Sequence, residues 1–422
     1  MLAFQITPDY SIRKEVHSKS KFYIFSFVCL YISIYSSGNR MNIIADKEIP
    51  FINSFFDGFD NFILLDSEEI SCQTLADADV LIVRTVTKVN QELLQGTPVK
   101  FVATATSGHD HIDIDYLKDN GISFVNASGC NSRSVAEYVL SSLFVLADKM
   151  QFHLEQKSLG IIGFGNVGST IYRFTTQLGM KCFIYDPPRQ ENDNSIEFSK
   201  LEDIQKADII TLHVPLIDNG PYPTSNLLDS DFFSRLKSDV ILINTSRGGV
   251  VDENALSRFI DLNPSSMVVL DVWKNEPEIN MELLKKVYIS TPHIAGYSLD
   301  AKLKGTRIIF KQICEAIGKS YKKSDMIGLP KGGMSHINLI DCDNEIDAIK
   351  IAVLSSYDVS IDSVVLKELQ NINADNRGNY FLDKRKNYPL RREFTSTAVS
   401  ASKEYSTLKY KMETLGFRMT YI

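Results

Sequence analysis

Paired cysteines are missing. Six cysteines, Cys29, Cys72, Cys130, Cys182, Cys314 and Cys342, are spread through 422 residues, and no two stand as Cys-x-x-Cys or at metal-ligand spacing. Neither a disulfide framework nor a metal site is indicated, and the thiols are expected to be reduced and mostly buried, in a cytoplasmic setting. A basic surplus is missing too. The 45 Lys and Arg stand against 52 Asp and Glu, a net charge of −7 at pH 7 with no long basic run. That argues against nucleic acid as a partner. No membrane span is expected, since a span takes roughly 20 apolar residues. The apolar run Phe22–Tyr35, behind Lys14, Lys19 and Lys21, is shorter and resembles a signal-peptide core without a small-x-small cleavage site. The strand-like Asn42-Ile-Ile-Ala45 directly after Met41 favours reading residues 1–40 as upstream of the functional start. Internal repeats and low-complexity tracts are absent as well.

What is present is an α/β rhythm. The length suits two or three domains, and 44% hydrophobic residues can fill large cores. Candidate strands are Asn42–Ala45, Phe62–Leu65, Val80–Val83, Phe101–Thr104 and Ser123–Val125, with helical stretches such as Ile49–Phe56 and Asn90–Leu94 between them. This alternation predicts a parallel sheet. Ser132–Met150 predicts one long helix, with Ser132 as its cap and Val135, Val139, Leu140, Leu143 and Phe144 at helical spacing. A second α/β run follows, with strands at Ser158–Gly163, Lys181–Asp186, Ile209–His213, Val240–Asn244 and Val268–Val272. Composition shifts near Gly328–Gly333. Beyond it, strands at His336–Ile340 and Ser363–Leu366 and helices at Asn344–Tyr357 and Ser402–Leu415 predict a small α+β module. The expected fold is α/β: two Rossmann-like, doubly wound parallel-sheet lobes with a ligand cleft between them, plus that module. Expected boundaries are 41–135 with 297–328 for a substrate lobe, 136–296 for a dinucleotide lobe, and 329–422 for the module.

The dinucleotide reading rests on Gly163-Phe-Gly-Asn-Val-Gly168. Alone, such a loop is weak evidence. Here the strand Leu159–Gly163 precedes it and a helix, Ser169–Leu178, follows. Gly163 allows the tight turn, Gly165 lets backbone approach a pyrophosphate, and Gly168 lets strand and helix pack closely. Asn166 and Val167 lie within this candidate cofactor loop, and the free N–H groups of the helix that follows attract phosphates. Asp186, ending the next strand, can accept from both ribose hydroxyls and repels a 2′-phosphate, so NAD is expected over NADP. Arg189 nearby weakens that preference slightly.

Three residues behind the loop carry acid–base chemistry. Arg247, in Asn-Thr-Ser-Arg-Gly-Gly at a strand's carboxyl end, can grip a carboxylate with two hydrogen bonds and polarise a 2-oxo group. His293, in Thr-Pro-His-Ile-Ala-Gly-Tyr, is of a residue type whose ordinary pKa, about 6.5, suits proton exchange at neutral pH. Glu276, in Asn-Glu-Pro, can accept from the far ring nitrogen and support the charged imidazole. Singly, each reads equally well as an exposed turn residue or a satisfied core histidine. In order behind a dinucleotide loop, they read as hydride transfer between a 2-hydroxy acid and a nicotinamide.

With these residues the chain resembles the D-isomer-specific 2-hydroxyacid dehydrogenase family, from Met41 to the C-terminus. Further matches are Val83–Asn90, Ala103–Asp110, Gly129-Cys-Asn131, Leu270–Trp273 and Pro292–Tyr297, while Asp186-Pro-Pro-Arg189 and Asn219-Gly-Pro-Tyr222 mark one branch. The resemblance implies NAD, a homodimer joined through the module after Leu329, and a phosphorylated four-carbon hydroxy acid used in pyridoxal 5′-phosphate synthesis. It implies that Arg247 and Glu276 are catalytic and His293 the proton donor. Asp186, Asp271, Gly296, Tyr297 and the Thr245-Ser246-Arg247 turn would touch NAD, and Thr85, Thr106 and Tyr297 the substrate. Thr85 stands where serine is expected, and Ser246 where cysteine is frequent. The substrate's phosphate needs a second cationic site, with Arg84 and Lys88 the first candidates and Arg391 and Arg392, across a dimer, weaker ones. The residues leave two alternatives: a different 2-hydroxy acid, such as 3-phosphoglycerate or D-lactate, and an NAD(H)-sensing protein on the same fold. The intact Arg247, Glu276 and His293 favour an enzyme.

Overall fold

The computed structural model describes residues 41–321, 329, 334–340, 342–402, 405 and 407–422. Residues 1–40, read as upstream of a start at Met41 and holding the apolar run Phe22–Tyr35 and Cys29, lie outside these residues. The described chain divides into two compact units.

The first unit holds residues 41–105, His111–Asn126 and 306–321. Its strands are β1 (Asn42–Asp46), β2 (Asn61–Leu65), β3 (Val80–Val83), β4 (Phe101–Thr104) and β5 (Ser123–Asn126), all parallel in the order β2-β1-β3-β4-β5. The central β3 and β4 are buried along their whole length, as the continuous apolar runs Val-Leu-Ile-Val and Phe-Val-Ala-Thr require of strands covered on both faces. The expected strands hold. The expected helix Ile49–Phe56 is shorter, Ile52–Phe56.

The second unit holds Thr106–Asp110, Ala127–Gly305 and the described residues from 329 on. Its main sheet comprises β6 (Ser158–Ile162), β7 (Lys181–Tyr185), β8 (Ile209–Leu212), β9 (Ile241–Asn244), β10 (Met267–Leu270) and β11 (Ile289–Ser290), parallel in the order β11-β10-β9-β8-β6-β7. The order reverses at β6, with β7 on one side and β8 on the other. The loop leaving β6 therefore opens at the switch point where such sheets bind ligands.

The helix Ser132–Met150 spans its expected limits, and every residue from Ser134 to Phe144 is buried. A helix buried on every face belongs inside a core, and this one, which also buries Ser134, Glu137, Ser141 and Ser142, is the spine of the second unit. Its cap differs from expectation. Asn131 occupies the cap position, and the Ser132 hydroxyl donates to the Gly129 carbonyl, 3.1 Å away.

The C-terminal strands β12 (His336–Leu339), β13 (Ala398–Ala401) and β14 (Arg418–Tyr421) are parallel in that order, so the expected α+β module is a small parallel sheet with helical crossovers. Helix Glu345–Ser356 matches expectation, and Leu408–Leu415 is shorter than expected. The expected strand Ser363–Leu366 lies inside the helix Val359–Lys367. Its β-branched run suggested a strand, but the Asp358 side chain accepts from the Ser360 N–H and starts a helix, and Leu366 and Ser363 are buried on its inner side. That helix covers the edge strand β11: the Ser290 N–H donates to Ser363 Oγ at 3.0 Å and Lys367 Nζ to the Tyr288 carbonyl at 2.8 Å. Ile349, Val353, Val399 and Leu415 share one core with Tyr138, Leu143 and Ile161.

Among the described residues no helix is long and apolar enough to cross a membrane, and no acidic, His or Cys cluster could hold a metal. The described cysteines are free thiols; Cys130, Cys314 and Cys342 are buried, and Cys72 and Cys182 partly so.

Candidate active site

The glycine loop joins β6 to the helix Asn166–Gln177. Gly163 has φ +92°, a left-handed conformation that favours glycine, and a side chain at Gly168 would collide with the Gly163 carbonyl. Gly165 is different. Nothing lies within 4 Å of where its Cβ would stand, so nothing inside the protein demands glycine there. A bare backbone facing open space at a helix N-terminus is what a pyrophosphate needs. Asn166 reaches to Ser128 Oγ at 3.1 Å, tying the loop to the Gly129-Cys-Asn131 segment, and Val167 packs partly into the core.

Asp186 ends β7. Its two oxygens accept from the Phe164 N–H at 2.7 Å and the Arg189 N–H at 3.1 Å, so the carboxylate is fixed beside the loop. Arg189 donates to the Phe164 carbonyl and pairs with Asp193 at 3.2 Å. It is engaged with the protein, which removes the weakening of NAD preference that its sequence position suggested.

Arg247 follows β9 in a turn locked by Asn244, whose Oδ1 accepts from the Ser246 N–H at 3.0 Å and Ser246 Oγ at 2.8 Å. Thr245 Oγ1 lies 3.3 Å from His213 Nδ1. Nε and Nη2 of Arg247 both bond Asp110 Oδ2, at 2.9 and 2.7 Å. Burial alone would raise the Asp110 carboxyl, but the Arg247 guanidinium holds it below the usual carboxylate range. Asp110 was not singled out from sequence, although it closes the family-like Ala103–Asp110 segment. Only its ion pair identifies it as a carboxylate already seated on the clamp.

His293 sits beyond β11 with φ +57°, a left-handed conformation that costs a non-glycine residue about 1–3 kcal/mol. Asp271 holds it there. The Asp271 carbonyl accepts from the His293 N–H at 2.7 Å, and its side chain accepts from Ile294 N–H, Ala295 N–H and Thr291 Oγ1 at 2.7, 3.0 and 2.6 Å. Asp271 is 1% exposed. Burial raises its carboxyl against the lowering effect of His293 and these donors. Its oxygens face the His293 loop rather than solvent.

Glu276 and His293 meet: Oε2 lies 2.7 Å from Nδ1, while Oε1 accepts from the Trp273 N–H at 2.9 Å. Burial pushes Glu276 up, but the His293 charge and hydrogen bond outweigh it and hold the carboxyl below its ordinary value. A folded value below the unfolded one means that Glu276 contributes stability above the ordinary carboxyl value, and loses it as pH falls through the lower one. Glu276→Gln is therefore expected to be less stable than the parent in urea at pH 7. The gap should shrink when both are unfolded in acid, below that value; a gap of equal size there would contradict the pairing.

Gly296 lies against Asn131, and the Tyr297 ring meets Tyr388, with centroids 6.2 Å apart. Thr106 Oγ1 donates to the Gly108 carbonyl at 2.9 Å. Arg84, Thr85 and Lys88 belong to the first unit, where Arg84 pairs with the fully buried Asp46 at 2.8 Å and Thr85 and Lys88 are exposed. Arg391 and Arg392 are engaged within the chain. Arg391 donates to the Ala295 and Ser134 carbonyls, and Arg392 pairs with Asp300 at 2.8 Å. Neither is a free cation for a phosphate, which corrects the sequence expectation.

Residues 136–295 match the NAD binding domain of the D-isomer specific 2-hydroxyacid dehydrogenases. Erythronate-4-phosphate dehydrogenase of Psychromonas ingrahamii is 41% identical over 384 residues, 89% of this chain and 96% of that one. The proteins of the same name from Hahella chejuensis and Escherichia coli are 40% and 41% identical, over 90% and 85% of this chain and 100% and 94% of theirs. Among solved structures, NAD+-bound 3-phosphoglycerate dehydrogenase of Entamoeba histolytica superposes with TM-score 0.57 at 24% identity, over 66% of this chain and 95% of that one. D-lactate dehydrogenase of Aquifex aeolicus, complexed with NAD and lactic acid, gives 0.51 at 25%, over 64% and 94%. The chain belongs to the D-isomer-specific 2-hydroxyacid dehydrogenase family, within its erythronate-4-phosphate dehydrogenases, and is an NAD-dependent enzyme.

Proposed function

We propose that this enzyme oxidises 4-phospho-D-erythronate to (R)-3-hydroxy-2-oxo-4-phosphooxybutanoate, a step in pyridoxal 5′-phosphate synthesis. The observation that carries the reading is the 2.7 Å Glu276–His293 pair behind a dinucleotide loop, in a chain about 40% identical to relatives named for that substrate. His293 Nε2 takes the proton of the C2 hydroxyl, and Glu276 at Nδ1 offsets the charge that the ring gains. Arg247 grips the C1 carboxylate in place of Asp110 and faces the oxygen on which negative charge develops. NAD, when bound, accepts the hydride from C2. Gly163, Gly165, Asn166, Val167 and Gly168 receive its pyrophosphate and Asp186 its ribose, each Asp186 oxygen keeping a lone pair beyond its backbone bond. Thr245, Ser246, Asp271, Gly296 and Tyr297 complete the cofactor contacts, Asp271 by shaping the loop. Thr85, Thr106, Tyr297, Arg84 and Lys88 contact the substrate.

A homodimer in the cytoplasm, without membrane or nucleic acid, belongs to the same proposal. Its support is a set of exposed apolar side chains in the C-terminal part, including Ile361 at 65% and Val364 at 63% exposure on the helix Val359–Lys367 and Leu390 at 73% in the chain beyond the helix Arg377–Lys386. The test supplies NAD and a keto-acid acceptor to the purified protein with 4-phospho-D-erythronate, 3-phosphoglycerate or D-lactate, and follows substrate loss. A kcat/KM for phosphoerythronate at least tenfold above the others is expected. Preference for another acid would move the substrate and keep the chemistry. NAD binding without turnover of any acid would favour a sensor.

A further inference from the structure

One cation whose field reaches Glu276 makes no ion pair among the described residues. Arg385 lies near the end of the helix Arg377–Lys386 in the C-terminal part of the second unit. That helix packs on the turn carrying Glu276, since a side chain at Gly378 would collide with Glu278 and meet Pro277. The guanidinium of Arg385 lies 5.7 Å from the Tyr297 ring centroid, and Lys302 Nζ lies 5.0 Å from the same ring. Tyr297 follows His293 in the same loop.

The nearby arginines have anionic or carbonyl partners at their tips: Arg391 donates through both terminal nitrogens to carbonyls, although its Nε is unpartnered too, and Arg392 pairs with Asp300. Arg385 makes no ion pair among the described residues, and its buried Nε finds no acceptor there. Its field reaches Glu276, where, against the raising effect of burial, it lowers the carboxyl less than His293 and the Trp273 N–H do. A guanidinium that lies over the Tyr297 ring and makes no ion pair among the described residues is suited to a planar or tetrahedral oxyanion. The substrate carboxylate is already assigned to Arg247, so the remaining anion is the phosphate.

We infer that Arg385, with Lys302 on the Tyr297 ring, binds the substrate's phosphate and selects phosphorylated over unphosphorylated 2-hydroxy acids. The inference rests on the proposed phosphorylated substrate. It also gives the C-terminal part of the chain a role in specificity, within one subunit.

The test compares parent, Arg385→Gln and Arg385→Lys on 4-phospho-D-erythronate and D-erythronate, with inorganic phosphate as a competing probe. For Arg385→Gln, kcat/KM for the phosphorylated acid should fall about 10- to 100-fold, mostly in KM, the size expected for a charged hydrogen-bonded contact. The selectivity ratio should fall at least tenfold, inhibition by phosphate should weaken in parallel, and Arg385→Lys should restore part of both. Equal losses on both acids would make Arg385 a support of the Glu276 turn and overturn the inference, as would an unchanged ratio. A parent enzyme that does not prefer the phosphorylated acid would instead sink the substrate reading itself.

Discussion

Replacing His293 by alanine is expected to lower kcat about 10³-fold, within the 10²–10⁴ range of positioned acid–base groups, while NADH binding followed by fluorescence changes less than about twofold. The reason is geometric. His293 is held on a left-handed backbone by Asp271 and on its ring by Glu276, 2.7 Å away, so its other nitrogen is the one left for substrate. The glycine loop and Asp186, the proposed cofactor contacts, do not depend on it. His293→Gln keeps a polar group of similar reach but no proton exchange near neutral pH, and is expected to be as slow as alanine. Turnover within tenfold of the parent in either variant would remove His293 from the reaction.

The largest effect on stability is expected at Arg391. This guanidinium is 6% exposed, stacks 3.7 Å over the Tyr357 ring, and donates to Ser134 and Ala295 carbonyls at 2.6 and 3.1 Å. Around it lie Glu137, fully buried, and Glu393, both raised chiefly by burial, with Arg391 among the groups that lower them. Arg391→Met keeps the volume but leaves two carbonyls unanswered and the carboxyls without their cation. Losing one partner of a buried pair costs about 3–5 kcal/mol. Glu137 and Glu393 can take up protons, which places the expected loss near the lower end, about 3 kcal/mol, with Tm lower by about 5 °C or more. Because Ala295 lies in the His293 loop, kcat should fall as well. Adding Glu137→Gln should recover part of the Tm. A Tm within about one degree of the parent would show that the cluster carries no such charge balance.

The sequence by itself determined the strands β1 to β10, the long buried helix, the glycine loop and the turns carrying Arg247, Glu276 and His293. Those features are written in local signals: short continuous apolar runs for strands, period-3.6 apolar spacing for helices, glycine where φ is positive, and polar residues at strand ends. The tertiary structure decided the pairings. Nothing local joins Arg247 to Asp110, 137 residues away, or Arg391 to Ser134, 257 residues away. Ser363-Val-Val-Leu366 reads as a strand by composition, yet a capped helix lays its inner face over β11. Arg391 and Arg392 read as free cations, yet buried carbonyls and Asp300 claim them. The physical reason is common to these cases. Periodicity records which face a segment buries, whereas the partner of a buried charge is chosen by whichever distant group loses its water at the same place.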